Sequence, residues 1–545
     1  MSSRRVFILV WAAIVSFIPL SLSLTSPLGP VVDLGYTAFA GNSTSPAGQA
    51  NSSVTFFGGI PFAQPPLGNL RWRAPQMLNE STTASAVTDA RDWGPPCIQR
   101  PAMVGVGSED CLTLNVWKPT NASEGDKLPV VVYIHGGGFY ANSPQGFPLY
   151  DWVAQHPTGL VGVSVTYRLG MMGFLGGPTI PGFTSAPFSR LSEESSRNQE
   201  LDPQTAHMNV GLLDQRAGLE WVQRHIAKFG GDPENVSIYG ESAGGASMVM
   251  QVTAYGGTKS VPFKRVTAQS IGFGPTRTDE EIELTFNNAA NFLGCPSSSP
   301  ETLPCMRNAS LGAIVSTINL TPNGFFAPVV EGPNPDAFMP DLPSRMIKAG
   351  NFSTVEFNGG HCTGDGKTFA SGSPDQFQTP EDVKRIVFSR WPGVSNETQD
   401  QALALYPIGS EFPTQWDRAW NMAGQAIFTC MDWLLADALV ARGVKNVYSF
   451  AWNAPDTVLY NARPYLGAMH TSDLYYLFDG TNTIANAGNT FTPFNASEAA
   501  LAREAIGFWT SFGSSGNPSD SKLDTSPSWT KFVSVNGEHG LKYLG

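Results

Sequence analysis

Charge is scarce in this chain. Only 14% of its 545 residues are charged, and acids outnumber bases 45 to 33, for a formal net charge of −12. That balance excludes nucleic acid and anionic membrane surfaces as partners, because both require clustered positive charge. Beyond residue 23 no segment reads as long and apolar enough to span a bilayer. The closing residues GLKYLG carry no anchor or retention signal, so no stable membrane anchor is expected. Repeats, heptads and low-complexity tracts are missing, as is any Pro/Ser-rich linker that would divide the chain. One domain over residues 24–545 is therefore expected. The six cysteines and seven histidines show no metal-ligand spacing, so neither metal nor cofactor is called for.

What is present begins with Met1 to Ser23. Arg4 and Arg5 precede an apolar run that Pro19 breaks, and Ser21 and Ser23 give a small-x-small site. This reads as a secretory signal over 1–23 and an extracellular destination. Ten N-x-S/T sites, at Asn42, Asn51, Asn79, Asn121, Asn235, Asn308, Asn319, Asn351, Asn396 and Asn495, fit export and N-linked glycans. Asn235 is the least suited, since it abuts an apolar strand. Cys97 and Cys111 close a short loop, and so do Cys295 and Cys305. Both pairs are expected to be disulfides in an oxidising compartment. Cys362 and Cys430 remain, and whether they bond is left open.

The chemistry concentrates at Asn235 to Ser247. Val236 to Tyr239 is a short apolar, β-rich run that ends in Gly240-Glu241-Ser242-Ala243-Gly244, and small helical residues follow. This is G-x-S-x-G in a strand–turn–helix context, the nucleophile elbow. A serine hydroxyl is a weak nucleophile and must stand clear of the backbone, where a base can reach it. Upstream, the strand-like run Val130 to Ile134 enters His135-Gly136-Gly137-Gly138-Phe139. Three consecutive glycines after a buried strand let backbone N–H groups point into a cavity, as an oxyanion loop requires. Leu160 to Tyr167 is a further apolar strand. Residues 176–208 hold a polar, Ser-rich stretch that reads as a surface insertion. Gly211 to Phe229 has helical spacing, with Leu212, Leu219, Val222 and Ile226 near one face, and Gly230 to Pro233 stops it. Strand, helix, strand, elbow, helix is the rhythm of a mainly parallel sheet covered on both faces.

These stretches, with GGIPFAQPPLGNLRW at 58–72, SEDCLTLNV at 108–116, TYRLGMMGFL at 166–175, FAPVVEG at 326–332, GAMHTSDLYYLF at 467–478 and FWTSFGSSGNP at 508–518, resemble the type-B carboxylesterase/lipase family, which includes the cholinesterases. The resemblance runs in order along nearly the whole chain after residue 23 and is nearest to the secreted fungal members. It implies the α/β-hydrolase fold and a serine esterase, with catalytic residues in the order Ser, acid, His. Ser242 is the nucleophile and His470, in the family's histidine loop, is the base. Asp365 occupies the acid loop, where the family usually carries Glu; being one methylene shorter, it needs that loop or His470 to sit closer. Glu331 is the rival acid. The implied oxyanion donors are the N–H groups of Gly137, Gly138 and Ala243, and the implied structural ion pairs are Arg71–Glu109 and Arg168–Asp214. Glu241 reads as a structural partner of the surrounding loops.

Lipases of this family carry a long lid between the first two cysteines. Here thirteen residues separate Cys97 and Cys111, which favours small or soluble esters. Phe139, Tyr140, Phe325 and Phe326 are candidates for the acyl pocket. The alternatives are a lipase or an acyltransferase using the same residues, or a non-catalytic binding protein on the same fold.

Overall fold

The computed structural model describes residues 25–545 apart from 44–52, 82, 84–85, 179, 181–205, 275, 298, 323–325, 392, 482–490, 536–537 and 540. The segment expected to be a secretory signal, the Asn51 site, Phe325 and most of the polar 176–208 stretch lie outside the described residues.

A nine-stranded sheet organises the chain. Its strands, in chain order, are β1 (Val54–Pro61), β2 (Thr113–Pro119), β3 (Leu128–Ile134), β4 (Val161–Val165), β5 (Gly231–Glu241), β6 (Arg265–Gln269), β7 (Glu356–Cys362), β8 (Val447–Trp452) and β9 (Lys542–Leu544). Across the sheet the order is β1-β2-β4-β3-β5-β6-β7-β8-β9. β1 and β2 pair antiparallel, as do β2 and β4. Every other neighbouring pair is parallel.

Side chains alternate across a strand, so a strand buried on both faces reads as a continuous apolar run. Val130, Val132, Ile134, Val236 and Ile238 join one core. Helices Val210–His225, Ala243–Thr253 and Cys430–Ala441 cover it through Leu219, Val249 and Leu435. Val131, Tyr133 and Tyr239 face the second core, closed by Trp152 of helix Tyr150–Gln155 and by Trp509 and Phe512 of helix Ala496–Ser515. The fold is thus the expected mainly parallel sheet with helices on both faces.

Two boundaries differ from the sequence reading. The helix expected to 229 ends at His225 and tightens into a 3-10 turn over Ile226–Phe229. The strand that leads to Ser242 starts early: Gly231 already pairs with Leu128, and an irregularity absorbs Asp232 and Pro233 before Val236 aligns with Val130. The expectation that no later segment could span a bilayer also needs correction. The continuous helical run Gln415–Ala441 is long and apolar enough by length and composition. Half of its most apolar window is buried. Trp416, Ala419 and Met422 pack into a satellite core with Phe377, Val383 and Leu403, and Leu435 and Leu439 pack into the first sheet core.

Both disulfides expected from the short loops are present, Cys97–Cys111 and Cys295–Cys305. Cys362 is buried and free, and Cys430 is exposed and free. The two ion pairs also form. Arg71 Nε lies 2.5 Å from Glu109 Oε1. Arg168 holds Asp214 through two bonds, Nη2 to Oδ1 at 2.7 Å and Nε to Oδ2 at 2.8 Å, and neither side chain reaches solvent. Removing one partner from such a pair strands a buried charge. Asp214→Ala should therefore lower unfolding free energy by about 3–5 kcal/mol in urea titrations. The double replacement Arg168→Met with Asp214→Leu should lose much less. Equal losses in the two variants would contradict a charge-based account.

Candidate active site

Ser242 stands between β5 and helix Ala243–Thr253, with φ 59° and ψ −120°. A non-glycine residue at positive φ is strained, and the surrounding backbone enforces it. A Cβ on Gly240 would come within 2.5 Å of the Gly244 carbonyl carbon, and one on Gly244 within 2.1 Å of the Ile134 oxygen. Two glycines are therefore needed to let strand, turn and helix close so tightly. Ser242 N–H donates to Gln269 O at 3.0 Å, and Ala246 and Gly272 N–H donate to Ser242 O at 2.8 and 3.0 Å.

His470 Nε2 lies 2.9 Å from Ser242 Oγ, and His470 Nδ1 lies 2.8 Å from Asp365 Oδ1. Asp365 opens the short helix Asp365–Phe369, and its Oδ2 accepts the Cys362 N–H at 3.1 Å. Its shorter side chain still reaches because the two loops are joined: Gly364 N–H donates to Ala468 O at 2.8 Å, pairing Gly364 with Met469. Glu331, the rival acid, is bound elsewhere. It accepts from Asn209 Nδ2 at 2.5 Å and Phe338 N–H at 2.9 Å.

The glycine loop after β3 runs beside the serine. Gly137 has φ 110°, and a Cβ there would meet the Ala141 oxygen at 2.1 Å. Tyr140 and Ala141 N–H both donate to Gly137 O. Among the described residues the N–H groups of Gly137, Gly138 and Ala243 donate to nothing. His135, earlier in the loop, is buried, stacks on Tyr167 at 4.6 Å, and donates Nδ1–H to Gly136 O at 2.8 Å. Burial pulls its pKa down to about 4, so this imidazole is neutral.

A cavity of about 620 Å³ opens over Ser242 and His470. Gly137, Gly138, Phe139 and Tyr140 line it, with Phe147, Met250, Phe273, Met339, Phe369, Trp391, Ile427, Phe428 and Leu474 as apolar wall. Phe326 borders a separate cavity of about 20 Å³ with Tyr140, Ile98 and Ile318. Of the acyl-pocket candidates among the described residues, Phe139 and Tyr140 line the larger cavity and Phe326 does not. The helix Gln415–Ala441 widens to a π-turn over Gln425–Thr429, which places Ile427 and Phe428 in the wall. The imidazole of His470 is held between Phe428 at 4.5 Å and the edge-on ring of Phe369 at 5.0 Å.

Residues that sequence reasoning missed surround this set. Asp473 lies one turn beyond His470; its Oδ2 accepts from Gln269 Nε2 at 2.5 Å, and its Oδ1 lies 3.6 Å from the Cys362 thiol. Gln269 Oε1 in turn accepts from Trp509 Nε1 at 3.0 Å. Glu241 is no mere loop partner: its Oε1 lies 3.2 Å from His470 Nε2. Burial raises the Glu241 carboxyl to about 8, against the pull of His470. For His470 burial acts downward, but Glu241 and the Asp365 hydrogen bond outweigh it and bring the imidazole up to about 9. The sequence signals were the place of Glu241 beside Ser242, read as that of a structural partner, and the spacing of Asp473 three residues after His470.

Together these features define an α/β-hydrolase with a serine–histidine–aspartate arrangement. The comparisons agree. The profile of the carboxylesterase family matches residues 29–182 and 199–543. The chain is 28% identical over 560 residues to a secreted lipase of Arthroderma benhamiae, covering 98% of this chain and 91% of that one. It is 30% identical over 492 residues to lipase 1 of Geotrichum candidum, covering 79% and 81%. The crystal structure of Aspergillus niger EstA superposes with a TM-score of 0.77 at 28% identity, covering 92% of each chain. The chain belongs to the carboxylesterase family and is a carboxylic ester hydrolase.

The contact between Glu241 and His470 sets the expected pH profile. A base must be unprotonated to work, so the rising limb of kcat/KM should lie well above pH 6.5, toward pH 9. Glu241→Gln removes a negative charge beside the imidazole and should move that limb to lower pH. A limb unmoved by the substitution would show that Glu241 does not act on His470.

Proposed function

We propose that the protein is a secreted, glycosylated serine carboxylesterase working through an acyl-enzyme on Ser242. Ser242 Oγ attacks the ester carbonyl and His470 takes its proton at Nε2. His470 then delivers that proton to the departing alkoxide. Asp365 fixes the ring through Nδ1 and supports the imidazolium. The N–H groups of Gly137, Gly138 and Ala243 receive the oxyanion. Water repeats the sequence in reverse and frees the acid. The observation that carries this reading is the unbroken line Asp365–His470–Ser242, with 2.8 and 2.9 Å steps, on the floor of a cavity beside three unspent N–H donors.

The short Cys97–Cys111 loop supports small or soluble esters as substrates. A second reading, lipase action at an interface, is favoured by the tip of that same loop. Met103, Val104 and Val106 are exposed there by 61%, 67% and 52%, an apolar turn able to touch a lipid surface. The curated relatives named above as lipases point the same way.

Hydrolysis of p-nitrophenyl esters from acetyl to palmitoyl separates the two. The esterase reading expects a short-chain optimum below the solubility limit, and the lipase reading expects activity that rises once droplets form. Under either, Ser242→Ala and Asp365→Asn should each lower kcat by about 10⁴ or more. A Ser242→Ala protein of undiminished rate would remove the acyl-enzyme mechanism altogether.

A further inference from the structure

Two guanidinium groups, Arg277 and Arg390, line the cavity that holds Ser242. This runs against the composition, in which acids outnumber bases. The only carboxyl in the described lining is Glu241, and its Oε1 faces the His470 imidazole at 3.2 Å. Arg277 lies 3.5 Å from Glu281 and is partly neutralised there. Arg390 differs. Its Nε donates to Phe369 O at 3.2 Å and its Nη2 to Ser371 Oγ at 3.1 Å. Its guanidinium stacks 4.8 Å above the Phe369 ring. Among the described residues no carboxylate forms an ion pair with it, and its Nη1 has no hydrogen-bond partner.

Tying residues 369–371 to the wall would account for Nε, Nη2 and the stacking. It would not account for a half-buried charge that borders the substrate cavity with a donor to spare. A guanidinium held on three sides is pre-organised to receive a carboxylate, which satisfies its charge and its free donor together. A single phenyl ring, Phe369, separates it from the imidazole of His470. A bound ester can therefore reach both the nucleophile and Arg390.

We propose that Arg390 is a specificity-determining residue and that the preferred substrates are esters bearing a carboxylate remote from the scissile bond. The proposal rests on the esterase reading given above. The test compares charged and neutral esters of equal length. On the acyl side these are the p-nitrophenyl monoester of adipate and p-nitrophenyl hexanoate. On the alcohol side they are 4-acetoxybenzoate and its methyl ester. The readout is the charged-to-neutral ratio of kcat/KM, which cancels any general loss of activity in a variant. Arg390→Gln should lower that ratio by about tenfold or more on one of the two sides. Arg390→Lys, which keeps a charge, should hold it within about threefold, and raised salt should lower the wild-type ratio. If the Gln variant does not fold, the Lys variant and the salt titration still decide. A ratio that neither Arg390→Gln nor salt changes on either side would overturn the proposal. Wild-type turnover of the hexanoate and its loss in Ser242→Ala are read in parallel, so failure of the esterase reading is seen separately.

Discussion

The whole site depends on strand register. β3 and β5 are parallel neighbours, and Ile134, the last residue of β3, pairs with Gly240, the last but one of β5. The two strands therefore end within one residue of each other, and the glycine loop and the elbow emerge side by side. β7 and β8 repeat the device: Cys362 pairs with Trp452, and the loops that follow carry Asp365 and His470. Two pairs of strand ends thus deliver four loops to one edge of the sheet, where ligands bind in open α/β folds. A slip of one residue would turn every side chain to the opposite face. The division of their side chains prevents it: Val130, Val132, Ile134, Val236 and Ile238 fill one core, and Val131, Tyr133 and Tyr239 fill the other.

Around this frame the protein spends backbone strain and buried charge. Ser242 is held at positive φ because Gly240 and Gly244, two residues to either side, let the turn close without side chains. Glu241, Asp365 and Asp473 crowd one imidazole, and they cannot all be ionised in so dry a place. Asp365 Oδ1 holds the His470 ring through Nδ1 at 2.8 Å. Burial pushes Glu241 and Asp473 toward their neutral forms. Phe369 and Phe428 complete the cluster by fixing the plane of the ring.

Sequence revealed the parts of this arrangement that are local. The elbow and the glycine loop are continuous motifs whose chemistry dictates their spelling, and the covered parallel sheet follows from apolar runs alternating with helical spacing. Asp365 was visible through its place in the family's acid loop, yet the Gly364–Ala468 bond that brings it close was not. Contacts made across long separations left no trace beyond those the family resemblance implied. Gln269 reaches Asp473 across 204 residues and Trp509 across 240. Arg390 stands in no motif of the sequence; the satellite helical core against which Phe388 and Trp391 pack brings it to the cavity wall. Phe326 misled for the opposite reason: it adjoins the cavity-lining residues Ala327 and Pro328 in sequence, but its own ring faces the neighbouring cavity.

The central claim is that Ser242 becomes covalently acylated. The most direct measurement is rapid acid quench of the wild-type protein during p-nitrophenyl ester turnover, followed by intact and peptide mass spectrometry. The account predicts a transient mass increase equal to one acyl group, located on the peptide that contains Ser242. Turnover with no acylated species at any quench time, or an acyl group found on a different residue, would contradict it.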